Sequence, residues 1–340
     1  MDAVIQHAAA QTPLVTVILP TRNRRQLLKE AIESLWKQTL PADSYEILVV
    51  DNVSDDGTAE MMQEMQAQSP CTLRYHRNER NLGCFGSMNL AVDLARAEVI
   101  ASTDSDCWAD SHWLERGLEP FRDDPKMAFV AGHMADKPDQ PVTLFSMRNG
   151  APNKENLFYP SGNCFYRKSV YQALGGCSEN LSFGDMGNSP IGCGDSDLAW
   201  RMKKAGYHFA YPGDAVVYHE VFRVSMWKWL KAHTRIFVMP ELMRRHPELR
   251  RLLLCNLFFS WDNILFYLAL LSTIAAIWAG PWALLGAVPH LLRAALLGGL
   301  RRAVMNLPKS LARVVVVSAR QSVICCSLIY GSLRARNPVL

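Results

Sequence analysis

The chain has 340 residues, of which 49% are apolar and 20% are charged, so a disordered polymer is excluded. One large domain, or a medium domain with an appendage, fits this length. The formal net charge of +4 is uneven: acidic residues outnumber basic ones over residues 1–227, and basic residues dominate residues 228–340. Nine cysteines form no CxxC pair, which argues against a cysteine zinc site and indicates reduced thiols.

The first residues, MDAVIQHAAAQTP, lack the basic start and apolar run of a signal peptide, and we expect the first domain to face the cytoplasm. Short β-branched runs then alternate with helical patterns. Strands are predicted at residues 14–19, 46–50, 72–76 and 99–103, with helices at 24–38, 58–68 and 87–97. This alternation predicts a parallel sheet covered by helices, with ligands bound beyond the carboxyl ends of the strands.

Polar residues follow three of these strands. The first strand ends in Thr21-Arg22-Asn23, the second in DNVSDDGT, and the fourth in Asp104-Ser105-Asp106. A cleft with so many carboxylates repels a bare phosphate, and therefore requires a divalent cation or a ligand edge with N–H groups. A sugar nucleotide offers both, and oxygen ligands favour Mg²⁺ or Mn²⁺ over Zn²⁺. No GxGxxG follows the first strand and no GxxxxGK[ST] occurs, which argues against the common dinucleotide and P-loop sites.

The C-terminal part is strongly apolar, and residues 264–288 carry no charge. This length could span a bilayer, but Gly280 and Pro281 interrupt it, so one tilted helix, a helical hairpin or a re-entrant pair are the alternatives. Residues 311–333 are apolar too, but Arg313 and Arg320 favour an interfacial helix there. Basic residues flank the apolar block and favour both its ends being cytoplasmic, hence a hairpin or a monotopic insertion: Arg244, Arg245, Arg250, Arg251, Arg301 and Arg302. A buried soluble helical domain is the alternative.

Five motifs in order resemble the family 2 glycosyltransferases of the GT-A fold over about residues 14–222. The motifs are VTVILPTRNRRQLLKEAIESLWKQT, EILVVDNVSDDGT, NLGCFGSMNLAVDLARAEVIASTDSD, SGNCFYRKSVYQALGGCSENL and GCGDSDLAWRMKKAGYHFAYPGDAVVYHE. The resemblance implies an α/β fold, a Rossmann-like mixed sheet flanked by helices, followed here by a membrane-associated helical region.

The resemblance also implies a role for individual residues. The nucleotide-sugar would be bound by Pro20, Thr21, Asn23, Asp51, Asn52, Ser54, Asn81, Gly83, Asp104, Ser105 and Asp106. A Mn²⁺ or Mg²⁺ ion would be held by Asp106, Asp104 and His219. The acceptor side would include Ser161, Gly162, Asn163 and Arg201. Asp195 stands where the family has its catalytic base, but Gly194 replaces the preceding glutamate, so Asp197 is the alternative base. A helix N-cap is the structural alternative for Asp195.

The function expected from these features is metal-dependent, inverting transfer of one sugar from a nucleotide-diphospho-sugar to a hydroxyl group. The QxxRW motif of processive synthases is absent, which favours a single transfer. The aromatic and basic segment 227–235 indicates an interfacial helix, and hence a lipid-linked saccharide or other glycan acceptor at the cytoplasmic face of the membrane. We expect contact with membrane lipid and none with nucleic acid.

The expected domains are 1–225 for catalysis, 226–251 as an amphipathic linker and 252–340 as membrane-associated helices. Two other functions remain open. A sugar-1-phosphate nucleotidyltransferase shares the nucleotide-binding sheet, the carboxylates and Mg²⁺, although the glycine-rich loop usual after its first strand is absent here. A catalytically impaired membrane adaptor with the same fold would account for the missing glutamate.

Overall fold

The computed structural model describes residues 12–148, 154–185, 190–297 and 307–340. The chain divides into two compact units, Met1–Arg223 and Val224–Leu340, and each is described by itself. The domain boundaries expected at residues 225 and 251 remain predictions.

The first unit is built around a seven-stranded sheet with the strand order β12-β6-β9-β4-β1-β2-β3. The strands are β1 Val15–Thr21, β2 Tyr45–Asp51, β3 Thr72–Arg77, β4 Val99–Thr103, β5 Cys107–Ala109, β6 Met127–Ala131, β7 His133–Asp136, β8 Ser146–Met147, β9 Asn163–Arg167, β10 Ser182–Asp185, β11 Pro190–Gly192, β12 His208–Ala210, β13 Val216–His219 and β14 Phe222–Arg223.

The large sheet is mixed. Strands β1 to β4 run parallel to one another, whereas β9 is antiparallel to both β4 and β6. The four strands predicted from the sequence are parallel as expected, and β9, which lies outside that prediction, makes the sheet mixed. The mixed α/β fold that the resemblance implies is confirmed.

Helices cover the sheet: α1 Arg25–Leu35, α2 Thr58–Gln68, α3 Gly83–Leu94, α4 Trp113–Leu118, α5 Lys168–Ala173 and α6 Gly194–Lys204. Apolar residues at helical spacing are buried on one side of α1. The prediction of α2 is confirmed, but α3 begins earlier than residue 87 and ends before residue 97. Its start is fixed by tertiary contacts of the preceding loop, since the Leu82 N–H donates to Asn52 Oδ1 at 2.8 Å. Its end follows from Ala95, which is extended.

The polar strand ends lie at one edge of the sheet. Thr21 is the partner of Asp51 across β1 and β2, and Ile18 is the partner of Ser102 across β1 and β4. The residues that follow β1, β2 and β4 therefore emerge together. Beside them, β5, β13 and β7 form a three-stranded sheet.

The second unit is helical. Its α-helices among the described residues are α7 Met226–His233, α8 Met239–Arg245, α9 Trp261–Ala279, α10 Val288–Leu296 and α11 Leu307–Ala335. Helix α9 ends at Gly280, whose φ of 84° breaks the helix, and the 3₁₀ segment Pro281–Ala287 folds back onto α9. Gly286 permits this return, because a Cβ there would lie 2.8 Å from the Cβ of Ser272. One continuous tilted helix over residues 264–288 is therefore wrong.

Two helices of this unit, Trp261–Ala279 and Pro308–Ala335, are long and apolar enough to cross a membrane by length and composition. The second of them contains residues 311–333, for which an interfacial helix is the prediction. Arg301 and Arg302, expected to flank the apolar block, lie outside the described residues.

Candidate active site

The carboxylate of Asp51 is fully buried at the end of β2. Its Oδ1 accepts hydrogen bonds from the Ser54 N–H at 2.9 Å and the Ser54 hydroxyl at 2.5 Å, and its Oδ2 accepts one from the Tyr75 hydroxyl at 2.7 Å. Burial, followed by the bond to Asp51, raises the pKa of Tyr75, which therefore remains a donor. A carboxylate offers about four acceptor positions, so Asp51 has capacity for one more donor.

The loops after β1 and β2 are joined through Asn23. Its N–H donates to the Ser54 hydroxyl at 2.9 Å, and its Oδ1 accepts from the Asp55 N–H at 2.9 Å. Asn23 has a φ of 51°, a left-handed conformation that asparagine tolerates better than most residues. Next to it, the hydroxyl of Thr21 is buried and has no hydrogen-bond partner among the described residues. Thr21 thus has a polar group available for a ligand, and Pro20 precedes it within β1.

Asn52, Asn81 and Gly83 form the wall beside this loop. Asn52 donates from its amide to Asn81 Oδ1, which also accepts from the Gly83 N–H at 2.9 Å. Gly83 has a φ of 73°, and a Cβ there would meet no atom within 4 Å. Glycine is therefore favoured here by the left-handed backbone conformation and not by lack of space. The structure gives these residues a loop-building role next to the strand ends.

Four potential metal ligands converge beyond β4: Asp104, Asp106, Cys107 and His219 each offer an atom, and these atoms lie within 4.8 Å of one another. Strand pairing explains the arrangement, since His219 in β13 is the partner of Cys107 in β5. Nε2 of His219 lies 3.6 Å from Oδ2 of Asp106. Both residues are buried, as is the intervening Ser105 of the triplet.

The donor set fits a hard divalent cation. Oδ1 of Asp106 is buried without a hydrogen-bond partner among the described residues. Nδ1 of His219 lies 2.6 Å from the Glu220 carbonyl oxygen, which assigns the ring proton to Nδ1 and a lone pair to Nε2. Burial and the two aspartates raise the pKa of Cys107, which keeps it a thiol and a poor ligand. Two carboxylates and one imidazole remain, a set that suits Mn²⁺ or Mg²⁺.

The crowding of negative charge at Asp104 also favours a bound cation. Burial, followed by the charge of Asp106, raises the pKa of Asp104 to about 6. Positive charge nearby is needed to hold both groups ionised, and Arg24 supplies some of it. Its Nη1 lies 2.6 Å from Oδ2 of Asp106. The sequence did not identify Arg24, because the residue precedes a helix and only the fold brings it to the aspartates.

Asp195 lies in the first turn of α6, and its carboxylate is held from two sides. Oδ2 accepts from the Ser161 N–H at 3.0 Å, and Oδ1 accepts from the Ser196 N–H at 2.7 Å. Burial raises the pKa of Asp195 to about 6. Gly162 follows Ser161 and lies against Asp104, because a Cβ there would be 2.7 Å from Asp104 Oδ2. Asp195 and Asp104 therefore flank the same dipeptide, Ser161-Gly162.

Asp197 has a different environment. Its Oδ2 accepts from the Ser178 hydroxyl at 2.7 Å and from Arg201 Nε at 2.9 Å. Arg201 also donates to the carbonyl oxygens of Leu174 and, at 2.5 Å, Gly176. These contacts attach α6 to the turn after α5. Asp197 and Arg201 thus have structural contacts, and the catalytic and acceptor-side roles that the resemblance implies for them stay predictions.

Two further positions are explained by packing. Gly194, where the family has glutamate, has no room for a side chain, because a Cβ would lie 2.6 Å from the Ser178 carbonyl oxygen and 2.8 Å from the Phe85 ring. Asn163 is buried, and its amide bonds Trp113 Nε1 and the carbonyl oxygens of His133 and Ala215 at 2.8 to 3.0 Å. Asn163 is therefore part of the core, and its acceptor-side role stays a prediction.

Comparison with known proteins identifies the part of the chain that contains Asp51, Asp104 and Asp106. Residues 16–175 match glycosyl transferase family 2. This part of the chain is a family 2 glycosyltransferase domain. The family uses nucleotide-sugars, and the glycosyltransferase domain includes the strand ends and the Asp104-Ser105-Asp106 triplet described above.

Curated relatives agree with this assignment. The chain is 25% identical over 215 residues to glycosyltransferase AglE of Haloferax volcanii, covering 61% of this chain and 67% of the relative. It is 25% identical over 222 residues to the O-antigen chain rhamnosyltransferase RfbN of Salmonella typhimurium, covering 60% of this chain and 66% of the relative. The chain therefore spans about two thirds of the length of these relatives.

The fold of the glycosyltransferase domain also has solved counterparts. The mannosyltransferase PcManGT of Pyrobaculum calidifontis, in complex with GDP-Man and Mn²⁺, superposes with a TM-score of 0.58 at 18% identity. The superposition covers 94% of this chain and 87% of that one. The structural similarity establishes the GT-A fold, and at 18% identity it establishes the fold alone.

Proposed function

We propose that the protein transfers a single sugar from a nucleotide-diphospho-sugar to a hydroxyl group of a lipid-linked or other glycan acceptor, with inversion and with a divalent cation. One observation carries the proposal. The cluster of Asp104, Asp106 and His219 and the separate carboxylate of Asp195 flank the dipeptide Ser161-Gly162. A cation site and a general base on either side of one short segment are the two parts that a single displacement requires.

Asp104, Asp106 and His219 would hold Mn²⁺ or Mg²⁺. The cation supplies the positive charge that stabilises a diphosphate leaving group. Thr21, Asn23 and Asp51 lie where the nucleoside would be bound, and the free acceptor position of Asp51 suits a base or ribose donor.

Asp195 is the proposed base. The acceptor oxygen forms a bond to the anomeric carbon while the bond from that carbon to the diphosphate breaks, and the hydroxyl proton passes to Asp195. A single displacement of this kind inverts the anomeric centre. The pKa of about 6 places Asp195 near the range in which a base is both deprotonated and a useful proton acceptor at neutral pH. Asp197 is less suited, since Ser178 and Arg201 occupy its carboxylate.

Membrane features support an acceptor at the cytoplasmic face of the membrane. Two helices of the second unit are long and apolar enough to span, and basic residues outnumber acidic ones over residues 228–340 taken as a whole. The relative RfbN is by name an O-antigen chain enzyme. We propose a saccharide carried by a lipid as the acceptor here.

A ligand screen tests this function. The purified protein is mixed with UDP-, GDP- and dTDP-sugars, with and without Mn²⁺ or Mg²⁺, and thermal unfolding is followed. A donor at about one hundred times its Kd should stabilise the native state by about 2.7 kcal/mol, and only with the cation. Donors that stabilise are then tested for transfer to lipid-linked saccharides.

Three results would contradict the proposal. Stabilisation by none of the donors would argue against nucleotide-sugar binding. Formation of a nucleotide-sugar from sugar 1-phosphate and a nucleoside triphosphate, without transfer, would establish a nucleotidyltransferase instead. If cells that carry the Asp195→Asn variant have the same phenotype as cells with the wild-type protein, the non-catalytic adaptor would be favoured.

A further inference from the structure

Arg24 lies against the carboxylate of Asp106 and is the more accessible of the two. Its Nη1 is 2.6 Å from Asp106 Oδ2, and this bond joins residues that are 82 positions apart in the chain. The side chain of Arg24 is 25% exposed, whereas that of Asp106 is 4% exposed. A guanidinium has five N–H donors, and this bond uses one of them. A ligand that approaches the buried aspartates from solvent can therefore reach the guanidinium of Arg24.

Aromatic packing keeps this guanidinium near the proposed cation ligands. The guanidinium carbon of Arg24 lies 5.9 Å from the centre of the Phe222 ring, within the range of a cation–π contact. The same ring lies 6.1 Å from the ring of His219, edge to face. Phe222 is itself paired with Met147 across β14 and β8. Arg24 and His219 therefore share an aromatic neighbour as well as a carboxylate.

Arg24 and a divalent cation would compete for that carboxylate. Asp106 Oδ2, which Arg24 contacts, is also the oxygen that faces Nε2 of His219, at 3.6 Å. A cation held by Asp106 and His219 would lie close to the guanidinium, because both would contact one carboxylate. Like charges at such a distance repel strongly in a buried site. Arg24 in its Asp106-bound position should therefore oppose cation binding.

The diphosphate of a nucleotide-sugar would offer Arg24 a second partner. The planar guanidinium fork donates two parallel hydrogen bonds to phosphate oxygens as well as to a carboxylate. A diphosphate bound near the cation would therefore draw Arg24 from Asp106 and leave the aspartate to the cation. This exchange keeps every charge paired, since the cation then neutralises the carboxylate and Arg24 neutralises the phosphate.

We propose that Arg24 exchanges its contact with Asp106 for the diphosphate of the donor, and thereby couples cation binding to donor binding. The inference rests on the proposed sugar transfer, because it names a residue that pairs with the diphosphate of that donor. The cation should be held weakly by the protein alone and much more tightly once the donor is bound. By linkage, the cation strengthens donor binding by the same factor.

Isothermal calorimetry on the full-length protein tests this coupling. Mn²⁺ is titrated with and without UDP-GlcNAc or GDP-mannose, and each sugar nucleotide is titrated with and without Mn²⁺. The titrations are made at pH 8, where Asp104, with its pKa of about 6, is ionised. Arg24→Gln removes the charge under test. Lys29→Gln is the matched control, because Lys29 is an exposed cation of α1 that pairs with Glu33 at 4.0 Å.

The two affinities of Arg24→Gln should change in opposite directions. Without a donor, its Mn²⁺ affinity should rise by about tenfold over the wild type, because the competing charge has been removed. With Mn²⁺ saturating, its affinity for the sugar nucleotide should fall by about tenfold or more, because a charge-assisted pair with the diphosphate is lost. The factor by which each ligand strengthens binding of the other should shrink equally in both sets of titrations.

Arg24→Lys keeps the positive charge and loses the planar fork. Its Mn²⁺ affinity without a donor should stay within about threefold of the wild type, and its donor affinity should fall by at least about threefold. Lys29→Gln should match the wild type in every titration. Thermal unfolding of each protein checks the fold.

Weaker binding of Mn²⁺ by Arg24→Gln without a donor would overturn the proposal, since Arg24 would then only hold Asp106 in place. Donor affinity equal to that of the wild type would overturn the contact with the diphosphate. If Arg24→Gln does not fold, Arg24→Lys decides the question, and wild-type donor affinity in that variant refutes the proposal.

The outcome for Arg24 is separable from that for the proposed function. A wild-type protein that transfers sugar, while Arg24→Gln behaves as Lys29→Gln does, refutes this inference and leaves the proposed function standing. Binding of no sugar nucleotide by the wild-type protein would refute the proposed function and this inference with it.

Discussion

Nε2 of His219 lies 3.6 Å from Oδ2 of Asp106, and the ring proton of the same histidine is engaged by the Glu220 carbonyl oxygen. The imidazole therefore directs its lone pair at a carboxylate oxygen that Arg24 Nη1 also contacts at 2.6 Å, and the imidazole and the carboxylate are oriented to share a cation. Asp106 has a second, buried oxygen without a partner among the described residues. This pair is the most specific feature of the site for a cation.

Replacement of Asp106 by asparagine should remove the cation site. Asp106→Asn keeps the shape of the side chain and deletes the charge, and Mn²⁺ affinity should fall by at least about 100-fold, since even loss of an outer partner costs 10 to 100-fold. Isothermal calorimetry with Mn²⁺ measures this change. Asp214→Asn is the matched control, because Asp214 is an exposed carboxylate paired with Arg116. Unchanged Mn²⁺ affinity in Asp106→Asn would place the cation elsewhere.

The two aspartates of α6 should have opposite phenotypes. Asp195→Asn should retain donor binding and lower kcat for transfer by about 10² to 10⁴, the usual contribution of a general base. Asp197→Asn should chiefly destabilise the fold, on the order of 3 kcal/mol, because Arg201 loses its ion pair in a partly buried place. Urea unfolding and single-turnover transfer separate the two effects. A stable, inactive Asp197→Asn protein would reverse the assignment.

The sequence predicts the parts of this site that follow from local pattern. Asp51, Asp104 and Asp106 are recognisable because each follows a buried β-branched strand, and parallel strands bring their carboxyl ends to one edge. His219 and Asp195 come from the resemblance alone, as nothing in their own neighbourhood distinguishes a ligand or a base from a structural residue.

Long-range contacts account for what the sequence does not predict. Arg24 pairs with Asp106 across 82 positions of the chain, and no spacing rule relates the two. The start of α3 depends on the side chain of Asn52, and the reversed direction of β9 depends on how the chain returns from β6. Asn163 belongs to an acceptor-side motif by sequence, yet its side-chain amide forms hydrogen bonds with buried core groups.

Transfer activity should depend on pH through Asp195. Its pKa of about 6 means that the carboxylate is protonated, and inactive as a base, in acid. Because kcat/KM reports the pKa of the free enzyme, kcat/KM should fall about tenfold per pH unit below pH 6 and be level above it. A pH profile of kcat/KM measures this limb. An acid limb near pH 4 would indicate a base with the ordinary aspartate pKa instead.

Folding stability should also depend on protonation of Asp195. Unlike activity, it should fall as the pH rises. The folded pKa of about 6 lies above the ordinary unfolded value of about 3.9. The folded state therefore binds the proton more tightly, and this stabilising contribution is complete below pH 4 and is lost as the pH rises through 6. Relative to wild type, Asp195→Asn should gain on the order of 2 kcal/mol between pH 4 and pH 8. Urea unfolding in EDTA measures the difference, and a constant difference would contradict the raised pKa.

Gly162 should be required for the cation site rather than for the fold. In Gly162→Ala the new Cβ would meet Asp104 Oδ2 at 2.7 Å and the Met134 side chain at 2.5 Å, so the Asp104 carboxylate must move. Mn²⁺ affinity and kcat/KM should each fall by about tenfold or more, with a small change in Tm. Gly117→Ala is the contrasting variant, because its Cβ would overlap the buried ring of Phe165 and should lower Tm strongly. Once folded at low temperature, the Gly117→Ala protein should still bind Mn²⁺ with wild-type affinity. A Gly162→Ala protein that loses stability but binds Mn²⁺ normally would show that this glycine serves packing and not the cation site.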